Sequence, residues 1–148
     1  MPVGKAVRRA PFLKACFPIY EPQITDIIDM MRRAGLCDAL VYEWVRQLAF
    51  NVYVGNGDAH SKNYSFILGP SGIGLSPLYD AVATWAWPQF DNSLAMSIND
   101  VWFPYELTFD DWAAQARMCG LDSGHVVEIA REMRESVLTH TEDAAQGM

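Results

Sequence analysis

"GNGDAHSKNYS", Gly55 to Ser65, gathers Asn56, Asp58, His60, Lys62 and Asn63 in one short segment, with glycines on both sides of the first asparagine. Glycine permits backbone angles closed to other residues, so the segment can turn tightly and present its side chains on a rigid base. Just before it, "DALVYEWVRQLAFN" (residues 38–51) places Leu40, Val41, Trp44, Val45 and Leu48 on one stripe, with Asp38 as a cap. The spacing predicts a buried helix running directly into the turn. Just after it, "YSFILGPSGIGLSPLYD" (residues 64–80) has two short apolar runs around "GPSGIG", the pattern of a β-hairpin with a glycine-rich loop. Such a hairpin carries Asp80 back toward Asn63.

Further out, Ile24, Ile27, Ile28 and Met31 recur at helical spacing, which predicts a helix with Thr25 as its N-cap and Gly35 as its stop. Residues 1–24, with Pro2, Pro11, Pro18 and Pro22, read as an irregular lead-in to a domain over 25–148. Beyond Asp80 the pattern is mixed: "ATWAWPQFDNS" reads as loop and "LAMSI" as a short strand. Trp85 and Trp87 are expected to pack against the core or a further lobe rather than stack a base. Thr108 and Asp111 form a capping-box start for a helix that Gly120 ends. Ser123 opens a last helix with Val126, Ile129, Met133 and Val137 inward, and the tail from Thr139 is expected to fray. The fold class is α+β and mostly α.

Composition narrows the function classes. A chain of 148 residues, 51% hydrophobic, has the length and the apolar content for one core. The net charge of −7 argues against direct nucleic-acid binding, which needs clustered Lys and Arg. No run approaches the ~20 apolar residues of a membrane span, and Pro11, Lys14 and Pro18 interrupt any signal-peptide core in the basic start. Cys16, Cys37 and Cys119 form no C-x-x-C pair, which suits a reduced, cytoplasmic setting.

The polar residues suggest a reaction type. A hydroxyl nucleophile needs a carboxylate to orient it and take its proton, while Mg²⁺ needs hard oxygen ligands and leaves positions for phosphates and water. Asp58 suits the first role, and Asn63 and Asp80 the second. Asp58 to Asn63 has the D-x-x-x-x-N spacing of a kinase catalytic loop. "GDAH" also resembles the G-D-x-H fragment of binuclear metallophosphoesterases, but that chemistry needs more His and Asp ligands downstream. Only His125 and His140 follow, and both read as surface residues.

"FNVYVGNGDAHSKNYSFIL" (residues 50–68), followed by "GLSPLYDAVAT" (residues 74–84), closely resembles the HipA-type serine/threonine kinases of bacterial toxin–antitoxin systems. The resemblance runs from about Thr25 onward and implies a kinase-like C-terminal lobe. It further implies that Asp58 is the catalytic base, that Asn63 and Asp80 hold Mg²⁺ bound to ATP, and that His60 and Lys62 lie beside the phosphates. The family's partners are protein substrates, aminoacyl-tRNA synthetases among them, and a HipB-like DNA-binding antitoxin. General protein kinases carry H-R-D and D-F-G motifs, whereas Gly57 precedes Asp58 here and Ala81 follows Asp80. A nucleotide-covering loop and a phosphate-pairing Lys should lie well over a hundred residues before Thr25. Lys5 and Lys14 sit in no suitable strand pattern, so a separate chain carrying the N-terminal lobe is a further expected partner. A lobe without that clamp is alternatively a catalytically inactive binding or regulatory module.

Overall fold

The computed structural model describes Arg9–Ala10 and residues 21–147. Helix α1 spans Ile24–Arg33, and Ile24, Ile27, Ile28 and Met31 are all buried, as the helical spacing requires. The N-cap is Gln23 rather than Thr25. The Gln23 backbone N–H donates to Asp26 Oδ2 at 3.0 Å, so an acid inside the first turn closes a cap that begins two residues before Thr25. Helix α2 spans Asp38–Val54 and starts from Cys37. Asp38 is its first helical residue, where a carboxylate favours the positive end of the helix dipole. Val41, Trp44, Val45 and Leu48 are buried as predicted, and Leu40 is half-buried at the edge of the stripe.

The small sheet is antiparallel, in the order β1 (Arg9–Ala10), β2 (Phe66–Gly69), β3 (Gly72–Leu75). Gly69 faces Gly72 in the β2–β3 register, so Pro70 and Ser71 alone form the hairpin loop. Gly72 takes a φ of +118°, which a side chain would rarely adopt. The hairpin read from the sequence is present. The lead-in is not wholly irregular, because Ala10 and Arg9 pair with Phe66 and Ile67. The expectations for Lys5, Lys14 and Cys16 lie outside the described residues.

"LAMSI" is not a strand. Leu94, Met96 and Ile98 alternate into the core as a strand would, but Asn99 and Asp100 take φ values of +50° and +60° and turn the chain back at once. Among the described residues its pairing amounts to one β-bridge, Ile98 with Val101, and one bond from Leu94 N–H to the Trp102 carbonyl at 2.7 Å. Helix α3 (Phe109–Met118) begins at the predicted box: Asp111 N–H donates to Thr108 Oγ1 at 3.3 Å, and Thr108 N–H donates to Asp111 Oδ2 at 2.8 Å.

Helix α4 (Ser123–Gln146) is capped by Asp122, whose Oδ1 accepts from His125 N–H at 2.7 Å; Ser123 is already helical. It does not fray at Thr139. Once its first turns are packed, each added residue gains a backbone bond without a new nucleation cost, so the exposed end continues to Gln146. Val126, Ile129 and Ala130 are buried, while Met133 and Val137 are only half-buried. α4 packs on both α2 and α3, and β3 touches α2, so α2 is the element against which the site is built. Among the described residues no helix is long and apolar enough to cross a membrane.

Candidate functional site

The two glycines of the quoted segment serve different needs. Gly55 ends α2 in the left-handed region with φ +77°, and a Cβ there would also come 2.9 Å from the Trp85 ring. Gly57 has no such backbone angle. Its side is closed by the chain opposite, since a Cβ would lie 2.9 Å from the Ser93 carbonyl oxygen and 3.1 Å from Thr84 Oγ1. The expectation that both residues relax the backbone therefore holds only for Gly55; at Gly57 the requirement is space.

Buried amides then tie the turn to the helix before it and the segment after it. Asn56 Nδ2 donates to Asn51 Oδ1 at 2.9 Å and to the Asp80 carbonyl at 3.3 Å, while its Oδ1 accepts from Asp58 N–H at 3.1 Å. Asn51 in turn donates to the Tyr64 hydroxyl at 3.1 Å. Burial pushes the Tyr64 phenol far up in pKa, against the opposing effect of the Asn51 bond, so it stays a neutral partner. On the other side Thr84 Oγ1 accepts from Gly57 N–H at 2.8 Å and donates to the Gly55 carbonyl at 3.2 Å. A buried polar group left unpaired is costly, so this set of bonds specifies one loop geometry.

Asp58, His60, Asn63 and Asp80 line one cleft of about 670 Å³, with Trp87 and Phe90 on its apolar wall. The hairpin thus returns Asp80 to the D-x-x-x-x-N loop: Ser76 N–H donates to the Ser65 carbonyl at 2.8 Å, and the Tyr79 hydroxyl donates to the Lys62 carbonyl at 3.2 Å. Lys62 itself is exposed and is not among the described residues lining the cleft. Asn63 Nδ2 donates to the Asp58 carbonyl at 2.6 Å, which leaves its amide oxygen as the end able to meet a cation. Asp58 has an exposed side chain (73%), and its Oδ1 lies 3.2 Å from His60 Nε2. The other ring nitrogen of His60 lies 3.4 Å from Glu21 Oε1, which also accepts from the Ser61 hydroxyl at 3.2 Å.

Asp80 takes a φ of +53°, a backbone state uncommon for a residue with a side chain and concentrated at functional sites. Among the described residues no three His, Cys, Asp or Glu side chains converge to hold a metal by themselves. Asp80 and the amide oxygen of Asn63 are hard oxygen donors of the type Mg²⁺ takes, one or two protein oxygens being completed by phosphates and water. Trp87 is exposed, whereas Trp85 packs against Gly55. His125 and His140 are both exposed, as expected.

Sequence reasoning missed Asn51, Thr84 and Glu21. An Asn on the inward face of an otherwise apolar helix is a signal that could have found Asn51. Thr84 and Glu21 bond to groups 27 and 40 residues away, and no local pattern marks them.

A model of the HipA-like C-terminal domain family matches residues 12–141. The serine/threonine-protein kinase toxin HipA of Shewanella oneidensis is 36% identical over 92 residues, covering 60% of this chain and 21% of that protein. The Y4mE protein of Sinorhizobium fredii is 33% identical over 101 residues, covering 68% of this chain and 24% of that protein. The chain therefore spans less than a quarter of the length of these relatives. In fold it matches a chain of the solved complex of Shewanella oneidensis HipA, HipB and operator DNA with a TM-score of 0.73, at 24% identity, over 86% of this chain and 30% of that one. By the family model that covers most of its length, the chain belongs to the HipA-like C-terminal domain family.

Proposed function

We propose that the chain is the C-terminal catalytic lobe of an ATP- and Mg²⁺-dependent serine/threonine protein kinase of the HipA toxin type. The observation that carries this reading is the convergence of Asp58, Asn63 and Asp80 on one cleft, across a loop and a hairpin that buried bonds hold in register. Asp58 is the base: it is exposed to the cleft, free to accept a proton from an incoming hydroxyl, and its backbone is fixed through Asn56. Asn63 and Asp80 would hold Mg²⁺, which would supply positive charge to offset that of the ATP phosphates. His60, whose ring sits between Asp58 and Glu21, keeps the base oriented at the edge of the phosphate site.

Family membership and the named relatives support the kinase reading, and the HipB in the solved relative supports a HipB-like antitoxin as partner. The substrate is a protein hydroxyl, and the setting is the cytoplasm. Transfer needs an N-terminal lobe over the phosphates, because positioning supplies most of the acceleration in this chemistry. Without that lobe, the chain serves as a nucleotide-binding or regulatory module.

Calorimetry of ATP with Mg²⁺ on the purified chain, wild type beside Asp80→Ala, tests the site. Heat of binding that is present in the wild type and lost in the variant is the expected result. Binding that is unchanged in Asp80→Ala removes Asp80 from the metal site, and no binding in either protein withdraws the nucleotide assignment from this chain.

A further inference from the structure

On the other side of the Gly55 turn lies a second cavity, of about 420 Å³, that takes no part in the proposed reaction. Tyr53, Trp85, Tyr105 and Phe109 give it aromatic walls, and Arg134 of α4 supplies a positive charge. Several of its polar groups can donate. The Trp85 indole N–H is buried and has no hydrogen-bond partner among the described residues. The Tyr53 hydroxyl accepts from Trp112 Nε1 at 3.0 Å, which leaves its own O–H to donate. Arg134 makes no ion pair among the described residues; its guanidinium carbon lies 5.8 Å from the Phe109 ring centre, and its charge acts on the Tyr53 phenol. No Asp or Glu is among the described residues lining this space.

We propose that this cavity binds a small planar aromatic carboxylate, its ring between the aromatic walls and its carboxylate on Arg134. The volume lies in the range of small-molecule pockets, and the lining has their usual composition of apolar walls with a few placed polar groups. A guanidinium and spare N–H and O–H donors select an anion over a cation, and aromatic faces select a flat body over an aliphatic one. A neutral aromatic would leave the Arg134 charge uncompensated as it is desolvated, and an aliphatic acid would forgo the stacking. The site also lies against the catalytic loop. Trp85 packs its ring on Gly55 and its backbone N–H donates to the Gly55 carbonyl at 3.3 Å, while the adjacent Thr84 bonds Gly57. An occupant therefore bears on the wall that shapes the turn before Asp58.

Two-dimensional NMR of the full chain, titrated with indole-3-propionate and separately with its neutral amide, tests the site without reference to kinase activity. Trp85→Phe assigns the Trp85 indole N–H signal. The expected result is a saturable shift of that signal with the carboxylate, weakened at least about tenfold with the amide and by Arg134→Gln. Arg134 is exposed, so that variant keeps the fold. No saturable shift, equal affinity for acid and amide, or indifference to Arg134→Gln would overturn the proposal. A shift confined to residues of the Asp58–Asp80 cleft would overturn it as well, by placing the probe there instead.

Discussion

Asn56 is the residue on which the loop geometry turns, because it is buried and bonds at once to the helix before it, the Asp58 backbone after it and the carbonyl of Asp80. Replacing it with alanine leaves Asn51 Oδ1, Asp58 N–H and the Asp80 carbonyl short of a partner. Asn56→Ala should lower unfolding stability in denaturant by about 1–3 kcal/mol and loosen Mg·ATP binding in the same protein. Asp58→Ala should do the reverse. Its side chain is exposed, so unfolding stability should stay within about 0.5 kcal/mol of wild type, while any phosphoryl transfer that the proposed site supports should be abolished. Transfer surviving in that variant would remove Asp58 from the role of base. At this scale the sequence made Asp58, Asn63 and Asp80 visible through type and spacing. It could not display Asn56 as the internal tie, because one of its acceptors is a backbone carbonyl 24 residues away and any residue could supply that.

The elements were legible where their signal is local and periodic. The stripes of α1 and α2, the hairpin after Tyr64 and the Thr108–Asp111 box all emerged as read, since each depends on contacts within a few residues. "LAMSI" did not, because its alternation is that of a strand but the chain that returns through Asn99 and Asp100 pairs with it at a single bridge, Ile98 to Val101. The tail of α4 was misjudged for the opposite reason: propagation from a packed start is not written in the tail itself. The box at α3 carries two tests. Thr108→Ala should cost about 1 kcal/mol in thermal or denaturant unfolding, the usual loss of a side-chain cap. Hydrogen bonds from Thr108 and Asn99 hold the Asp111 carboxyl below its ordinary pKa. A carboxyl depressed in the folded state stabilises it above the unfolded value of about 3.9 and loses that contribution as pH falls through the folded value. Melts of wild type and Asp111→Asn should therefore differ at neutral pH and converge in acid; curves that stay parallel across that range would remove Asp111 from the acid response.

At the scale of the molecule, one packed centre carries the site without sharing its residues. Trp44 is fully buried on α2, edge-on to Tyr64 with ring centres 5.4 Å apart, and Tyr64 holds the amide of Asn51 that anchors the loop. The scaffold was therefore readable from the apolar stripe that includes Trp44, whereas the link from that stripe to the Gly55–Asp58 turn runs through a tyrosine in the next segment and needed coordinates. Trp44→Ala opens a cavity that the surrounding helices cannot fully close, and it should cost about 3–5 kcal/mol in denaturant unfolding. Because the cavity lies beside Tyr64, the loss should spread to the site, with Mg·ATP binding weakened even at temperatures where the chain remains folded. Removal of residues 141–148 is the matching control. The described part of that segment is exposed at every residue, so its loss should change neither stability nor binding measurably. Full binding by a folded Trp44→Ala protein would mean that the loop is held by its amides alone. Weakened binding would place the Trp44–Tyr64 contact in the chain of support that runs from the core of α2 to Asp58.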